Sequence, residues 1–222
     1  LPGCHELRSY DDALRIREAM TEGAGAKGKR VVIVGAGFIG LEAAASLAGL
    51  GAEVTVVELK EGVWPAVAPA PLASFLQRYL TERGVGFRFG SGVATLEGDN
   101  RLTAVVLEDG TRMPADQLLL AVGVAPNTEL ARAAGIAVED GIVVDEYLRT
   151  GADDVWAAGD AVCLPEGYSG RRRRLEHYGS AEATGYVAGQ NAAGALQRYT
   201  MLPYVWSDIG DLRVDVGGDE NG

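Results

Sequence analysis

Val31-Val32-Ile33-Val34-Gly35-Ala36-Gly37-Phe38-Ile39-Gly40-Leu41-Glu42 is the stretch on which the fold turns. Its first half, preceded by Arg30, is an apolar run too brief for a helix, which predicts a strand buried on both faces of a parallel sheet. Its second half sets glycines in the order G-x-G-x-x-G and opens an Ala- and Leu-rich segment, Phe38 to Gly49, of high helix propensity. Gly51 suits a turn, and Glu53-Val-Thr-Val-Val57 is a second β-branched run. G-x-G-x-x-G alone is a weak signal, but strand, glycine turn, helix and second strand in one unit make it a strong one for a dinucleotide site.

Each position has its own task. Gly35 permits the tight turn, Gly37 lets the main chain approach a pyrophosphate, and Gly40 allows helix and strand to pack closely. Phe38 and Ile39 open the helix, whose unpaired N–H groups and positive dipole end favour an anion. Glu58 lies 18 residues beyond Gly40 at the end of the second strand, where a carboxylate accepts both ribose hydroxyls. A 2′-phosphate about 4 Å from that carboxylate would meet repulsion of about 1 to 4 kcal/mol per charge. NADH is therefore expected over NADPH, with Lys60 softening the selectivity. The same letters also describe a packing turn without a ligand, and FAD and NAD sites share this geometry, so the motif by itself leaves the choice open.

Upstream, Asp11 is expected to cap a helix running through Met20, with Ala13, Leu14, Ile16 and Met20 as its apolar stripe, and 21–29 is expected to be a loop. Downstream, a helix is expected from about Pro71 to Glu82, then a strand at Val85–Phe89. Val93–Leu96, Arg101–Leu107 and Thr111–Met113, separated by Asp99-Asn100 and Asp109-Gly110, predict a three-stranded meander. Gln117-Leu-Leu-Leu-Ala-Val122 returns to the parallel sheet. Past Tyr147 a brief strand at Val155–Ala158, a polar loop carrying Arg171 to Arg174, and a helix from Gly179 to about Leu196 are expected. One or two strands beside that helix are too few for an independent sheet.

Composition narrows the function classes. The 222 residues are 47% hydrophobic and carry a formal net charge of −11, enough for a sizeable core and the wrong sign for general nucleic-acid binding. Cys4 and Cys163 form no C-x-x-C pair, which excludes a disulfide scaffold or local redox dithiol and suits a reducing, cytoplasmic setting. No apolar run approaches the roughly 20 residues of a membrane span. A start without Met and an end straight after a strand pattern suggest part of a longer protein.

Val32-Ile-Val-Gly-Ala-Gly-Phe-Ile-Gly-Leu-Glu42, Ala121-Val-Gly-Val-Ala-Pro-Asn127 and Val155-Trp-Ala-Ala-Gly-Asp160 stand here in the order found in FAD-dependent pyridine-nucleotide oxidoreductases. With Glu176-His177 before a helix and Val205-Trp-Ser-Asp208, the chain resembles the branch of ferredoxin (putidaredoxin) reductases and apoptosis-inducing factor. The resemblance covers essentially all residues. It implies an α/β fold: a Rossmann-like NADH domain with a β-meander, plus part of a second Rossmann-like FAD domain. Residues 1–27 would be a junction from the FAD domain, 28–145 the NAD(H)-binding domain, 146–208 the second FAD segment and 209–222 the start of a truncated C-terminal domain, with Asp211–Val216 its first strand.

By the same resemblance Glu42 positions the nicotinamide amide, Gly123 brings its backbone near the nicotinamide, and Gly159-Asp160 meets the flavin's ribityl or pyrophosphate region. The helix after Glu176 and His177 aims its N-terminus at the flavin pyrimidine, and Trp206 lies close to the flavin. From the residues alone, Asp160 also reads as a turn cap and Glu42 as an exposed first-turn acid, while Trp206 reads first as a core aromatic and His177 first as a structural histidine. His177 stands where ferredoxin reductases often have Ser and is more like apoptosis-inducing factor. Arg171 to Arg174 read either as a dock for an acidic ferredoxin or as a solvated loop.

The implied activity is hydride transfer from NADH to FAD, followed by single electrons to an iron–sulfur protein, with no residue needed as acid or base. An NADH oxidase, a nitrite-reductase-type flavin module and an NADH-sensing protein are the alternatives, and the oligomer is left open between monomer and homodimer. Lacking the ADP-binding half of the flavin site, such a piece is expected to bind NADH yet purify colourless.

Overall fold

The computed structural model describes residues 1–23, 25–65, 67–165 and 171–218. They divide into two compact units, Leu1–Gly123 with Ser207–Val214, and Val124–Trp206 with Asp215–Gly222. In chain order the first unit holds β1 (Cys4–Glu6), α1 (Tyr10–Thr21), β2 (Arg30–Val34), α2 (Phe38–Gly49), β3 (Glu53–Glu58), α3 (Ala70–Thr81), β4 (Gly86–Phe89), β5 (Val93–Glu97), β6 (Ala104–Leu107), β7 (Arg112–Pro114) and β8 (Gln117–Leu120). The second holds α4 (Glu129–Ala133), β9 (Val138–Glu139), β10 (Gly141–Val143), β11 (Val162–Pro165), β12 (Arg172–Arg173) and α5 (Tyr178–Ala192). A hairpin of β13 (Tyr204–Ile209) and β14 (Leu212–Gly217) turns at Gly210-Asp211, and its tip belongs with the first unit.

The five-stranded sheet of the first unit runs β1-β8-β2-β3-β4, parallel throughout. Its central strands are apolar on both faces because both are covered. Val32, Val57 and Leu118 pack with Leu102, Val105, Leu107 and Ala115 of the meander region, while α2 buries Gly40, Leu41, Ala44 and Leu47 and α3 buries Leu76 and Leu80. The meander β5-β6-β7 is antiparallel, as its two turn signals predict. Arg30 and Asp116 lock the entry of β2 to that of β8: Nε and the backbone N–H of Arg30 donate to Oδ2 at 3.0 and 2.9 Å, and Nη2 donates to Oδ1 at 2.7 Å.

Several expectations are corrected. Ser9, not Asp11, caps α1, since Ser9 Oγ accepts the Asp12 N–H at 3.2 Å while Asp12 Oδ2 accepts the Ser9 N–H at 2.7 Å. That reciprocal box satisfies two otherwise orphaned donors, where Asp11 offers one. Val155–Ala158 is not a strand, and only Trp156 bridges to Arg149. Asp154 at φ 58° and Gly159 at φ 81° bracket the segment and turn the chain before a ladder can grow. The second unit does have a sheet of its own, β12-β11-β10-β9, whose core joins Val144, Leu148, Val162, Leu164, Val187 and Ala188. Its strands are two to four residues long, too short to show a period in sequence. Asp211, expected to begin a strand, lies in the hairpin turn.

Candidate nucleotide site

The glycine turn is built from backbone outward. Gly35 N–H donates to Val57 O at 2.8 Å and Ala121 N–H to Val34 O at 2.8 Å, so the loop leaves β2 pinned to both neighbouring strands. Gly35 takes φ 106°, and a Cβ there would come within 2.2 Å of Ala121 O. A Cβ on Gly40 would lie 2.0 Å from Gly35 O. Neither position accepts a side chain. Gly37 differs: with φ −81° it is ordinary backbone, and nothing lies within 4 Å of its added Cβ. Open space at this N-cap, with no side chain capping α2, is what a phosphate approaching the helix start requires.

Glu58 closes the loop from the end of β3. Its Oε2 accepts the Ala36 N–H at 2.8 Å and its Oε1 accepts the Lys60 N–H at 2.9 Å. An ionised carboxylate accepts about four hydrogen bonds, so both oxygens are oriented and both keep capacity for a ribose diol. Glu42, on the second turn of α2, is half-buried and accepts the Ser207 hydroxyl on Oε1 at 2.5 Å. Gly123 lies beyond β8 at φ 98° with open space at its Cα, between the exposed Val122 and Val124.

Sequence reasoning missed three neighbours of this site. Trp64 is 1% exposed, sits at φ 47°, donates its backbone N–H to Ala36 O at 2.9 Å and rests its ring 4.7 Å from Phe38. Its indole Nε1 is buried with no hydrogen-bond partner among the described residues. No spacing rule marks a Trp-Pro pair six residues past a strand end. Ser207 and Tyr79 reach the site through contacts between residues more than a hundred apart in sequence, beyond any local pattern.

The second unit gathers the other expected residues. Gly159, at φ 81°, donates its N–H to Thr184 Oγ1 of α5 at 2.9 Å, and Asp160 is exposed. His177 is the N-cap of α5, its Nδ1 accepting the Gly179 N–H at a long 3.4 Å and its Nε2 lying 3.1 Å from both the N–H and the carbonyl of Trp206. The two rings meet edge-on with centroids 4.1 Å apart. A solvent-facing carboxylate after a glycine in the left-handed region, with open space at its Cα, fits a hydroxyl-rich ligand segment, and α5 offers the remaining N–H groups of its first turn to an anion.

The arginine run is partly structural. Arg172 Nη1 donates to Val144 O at 2.7 Å and Cys163 O at 3.2 Å, while Arg174 pairs with Asp140 at 3.2 Å and with Glu176. Carbonyls leave the charge of Arg172 in place, whereas two carboxylates offset that of Arg174. Cys4 and Cys163 are free, and burial raises both thiols above the usual range. No helix among the described residues is long and apolar enough to cross a membrane.

A parallel sheet with a glycine turn, an open helix start and an acidic residue at the next strand's tip defines a dinucleotide-binding protein of the doubly wound α/β class. The chain belongs to the pyridine nucleotide-disulphide oxidoreductase family, which matches residues 1–185. It is 38% identical over 220 residues to a probable ferredoxin reductase, CtmF, of Castellaniella defragrans, covering 98% of this chain and 53% of that protein. The crystal structure of the ferredoxin reductase for the CYP199A2 system of Rhodopseudomonas palustris superposes with a TM-score of 0.91 at 33% identity, covering 97% of this chain and 52% of that one. The covalent putidaredoxin reductase–putidaredoxin complex superposes with a TM-score of 0.90 at 31% identity, covering 97% and 51%. The chain thus spans about half the length of the relatives it matches.

Proposed function

We propose that this chain is the NAD(H)-binding core and part of the flavin-binding region of a reductase that carries electrons from NADH through FAD to a ferredoxin-type iron–sulfur protein. The observation that carries the reading is the pairing of open space at Gly37 with an oriented carboxylate at Glu58. The first receives the pyrophosphate at the start of α2, and the second takes the adenosine ribose. Glu42 and Gly123 border the nicotinamide end.

FAD, when bound, supplies the hydride acceptor and splits the electron pair into single transfers. The protein's part is alignment and exclusion of water. Gly159 and Asp160 would hold the hydroxyl-bearing region of the flavin, the first-turn N–H groups of α5 would stabilise negative charge on it, and Trp206, braced by His177, would pack beside it. No side chain serves as acid or base.

An acidic partner would be steered by the basic run Arg171 to Arg174, in which Asp140 and Glu176 offset part of the charge of Arg174. The test is to load the complete protein with flavin, mix it with NADH, and follow bleaching and recovery of the flavin with ferredoxin, quinone or oxygen as acceptor. Fast bleaching by NADH and reoxidation selective for ferredoxin is the expected result, and failure of NADH to bleach the flavin would overturn the reading.

A further inference from the structure

The order of the parallel sheet decides what lies beyond the ribose. Strands β8, β2, β3 and β4 are neighbours in that order and all parallel, so their carboxyl ends form one row. Ligands of such sheets sit outside those ends. On the NADH reading above, the glycine turn after β2 receives the pyrophosphate and Glu58 at the end of β3 takes the ribose. The next step along the row is the end of β4. Phe89, the last residue of β4, is the register partner of Glu58, and Gly90 follows it.

That next position is occupied by an acid from the loop after β3. Glu61 Oε1 lies 3.0 Å from where a Cβ on Gly90 would stand, and Gly90 has φ 72°. The bare Cα of Gly90 therefore makes the room into which the carboxylate fits. Adjacent strands are about 4.8 Å apart and each residue advances about 3.3 Å, which puts this carboxylate at most about 10 Å from the Cα of Glu58. Glu61 is exposed and makes no hydrogen bond or ion pair among the described residues. Lys60, expected to soften the choice between nucleotides, stands between Glu58 and Glu61 in the chain, so its charge is flanked by two acids.

We propose that Glu61 is a second specificity residue for the adenosine end: it sets a negative charge over the tip of β4, on the far side of the ribose from the pyrophosphate, and rejects nucleotides phosphorylated at the 2′ position. Glu58 selects by what it holds, and Glu61 selects by what it repels. A 2′-phosphate carries nearly two negative charges, and charges about 10 Å apart or less still interact at 0.1 M salt, where the Debye length is about 10 Å. The inference rests on the NADH reading and extends it to the residue that excludes the competitor.

The experiment titrates the complete flavin-loaded protein with ADP-ribose and with 2′-phospho-ADP-ribose, which reach the adenosine site without a nicotinamide, by calorimetry at low and high salt. Glu61→Gln is expected to cut the preference for ADP-ribose about 3- to 10-fold by tightening the phosphorylated ligand. The change should vanish at about 1 M salt, where the Debye length is about 3 Å. Gly90→Ala, whose methyl group displaces the carboxylate, should shift the preference the same way. In the Glu58→Gln background Glu61→Gln should still lower the preference, because the two acids act independently. A preference unchanged in Glu61→Gln at low salt, or one that falls only because ADP-ribose binds more weakly, overturns the proposal while leaving the NADH reading intact. A parent protein that binds neither ligand overturns both.

Discussion

Glu58 Oε2 accepts the backbone N–H of Ala36 at 2.8 Å, so the carboxylate expected to grip a ribose is also a brace of the glycine turn that is expected to hold the phosphates. The two half-sites are therefore coupled through a single side chain. Glu58→Ala should weaken NADH by about 10- to 150-fold, corresponding to roughly 1.5 to 3 kcal/mol for a charged acceptor, and narrow the preference over NADPH. Glu58→Gln, which keeps an acceptor for Ala36, should lose selectivity with a smaller loss of affinity. Calorimetric titration of both nucleotides checks this, and unchanged affinities for both would remove Glu58 from the site.

The glycines separate folding from binding. Gly35→Ala forces a Cβ into Ala121 O at φ 106° and should cost about 2 to 4 kcal/mol of stability. Gly37→Ala meets no atom, so its urea midpoint should stay near the parent's while NADH affinity falls at least about 10-fold as a methyl group takes the place of the pyrophosphate. Equal stability losses in the two variants would contradict this division.

Acid should open the sheet at one identifiable place. Arg30 holds the carboxyl of Asp116 at about 2, below the roughly 3.9 of an unfolded chain. A depressed folded-state value stabilises fully above about pH 4 and is lost as pH falls towards 2. Asp116→Asn should therefore cost about 1 kcal/mol at neutral pH, the partly exposed guanidinium being screened, and its stability should fall less steeply than the parent's between pH 4 and 2. Parallel curves in that window would show that the pair contributes nothing.

Trp64 carries a buried indole N–H with no partner among the described residues. Trp64→Phe removes that liability, worth about 1 to 3 kcal/mol, against a comparable loss of packing, and its net effect on stability should lie within about 1 kcal/mol. Trp64→Ala loses the ring beside Phe38 and should cost about 3 to 5 kcal/mol. Urea denaturation separates the two.

The sequence is most readable where structure is local. The β2–α2–β3 unit could be read from Val31 to Glu58 because a buried strand, a glycine turn and a helix start each leave their mark within a few residues. The capping box is legible in Ser9-Tyr10-Asp11-Asp12, but Asp11 inside it is itself a good cap residue and competes with Ser9 on sequence alone. The sheet of the second unit escaped because strands of two to four residues carry no period. Ser207 was visible within Val205-Trp-Ser-Asp208, yet nothing in those four residues says that its partner is Glu42. That pairing exists only once the hairpin has folded onto α2.

The hairpin tip gives the first unit an unusual schedule. Residues 207–214 fold with residues 1–123, so on the ribosome the nucleotide-binding body cannot be finished when its own strands have emerged. Until the intervening unit has been synthesised, Glu42 lacks the hydroxyl that orients it and Tyr79 has no turn to hold. A protein cut at residue 123 should keep its sheet and lose the bonds of Ser207 to Glu42 and of Asp211 to Tyr79, so the last contacts of the first unit arrive only with the far end of the chain.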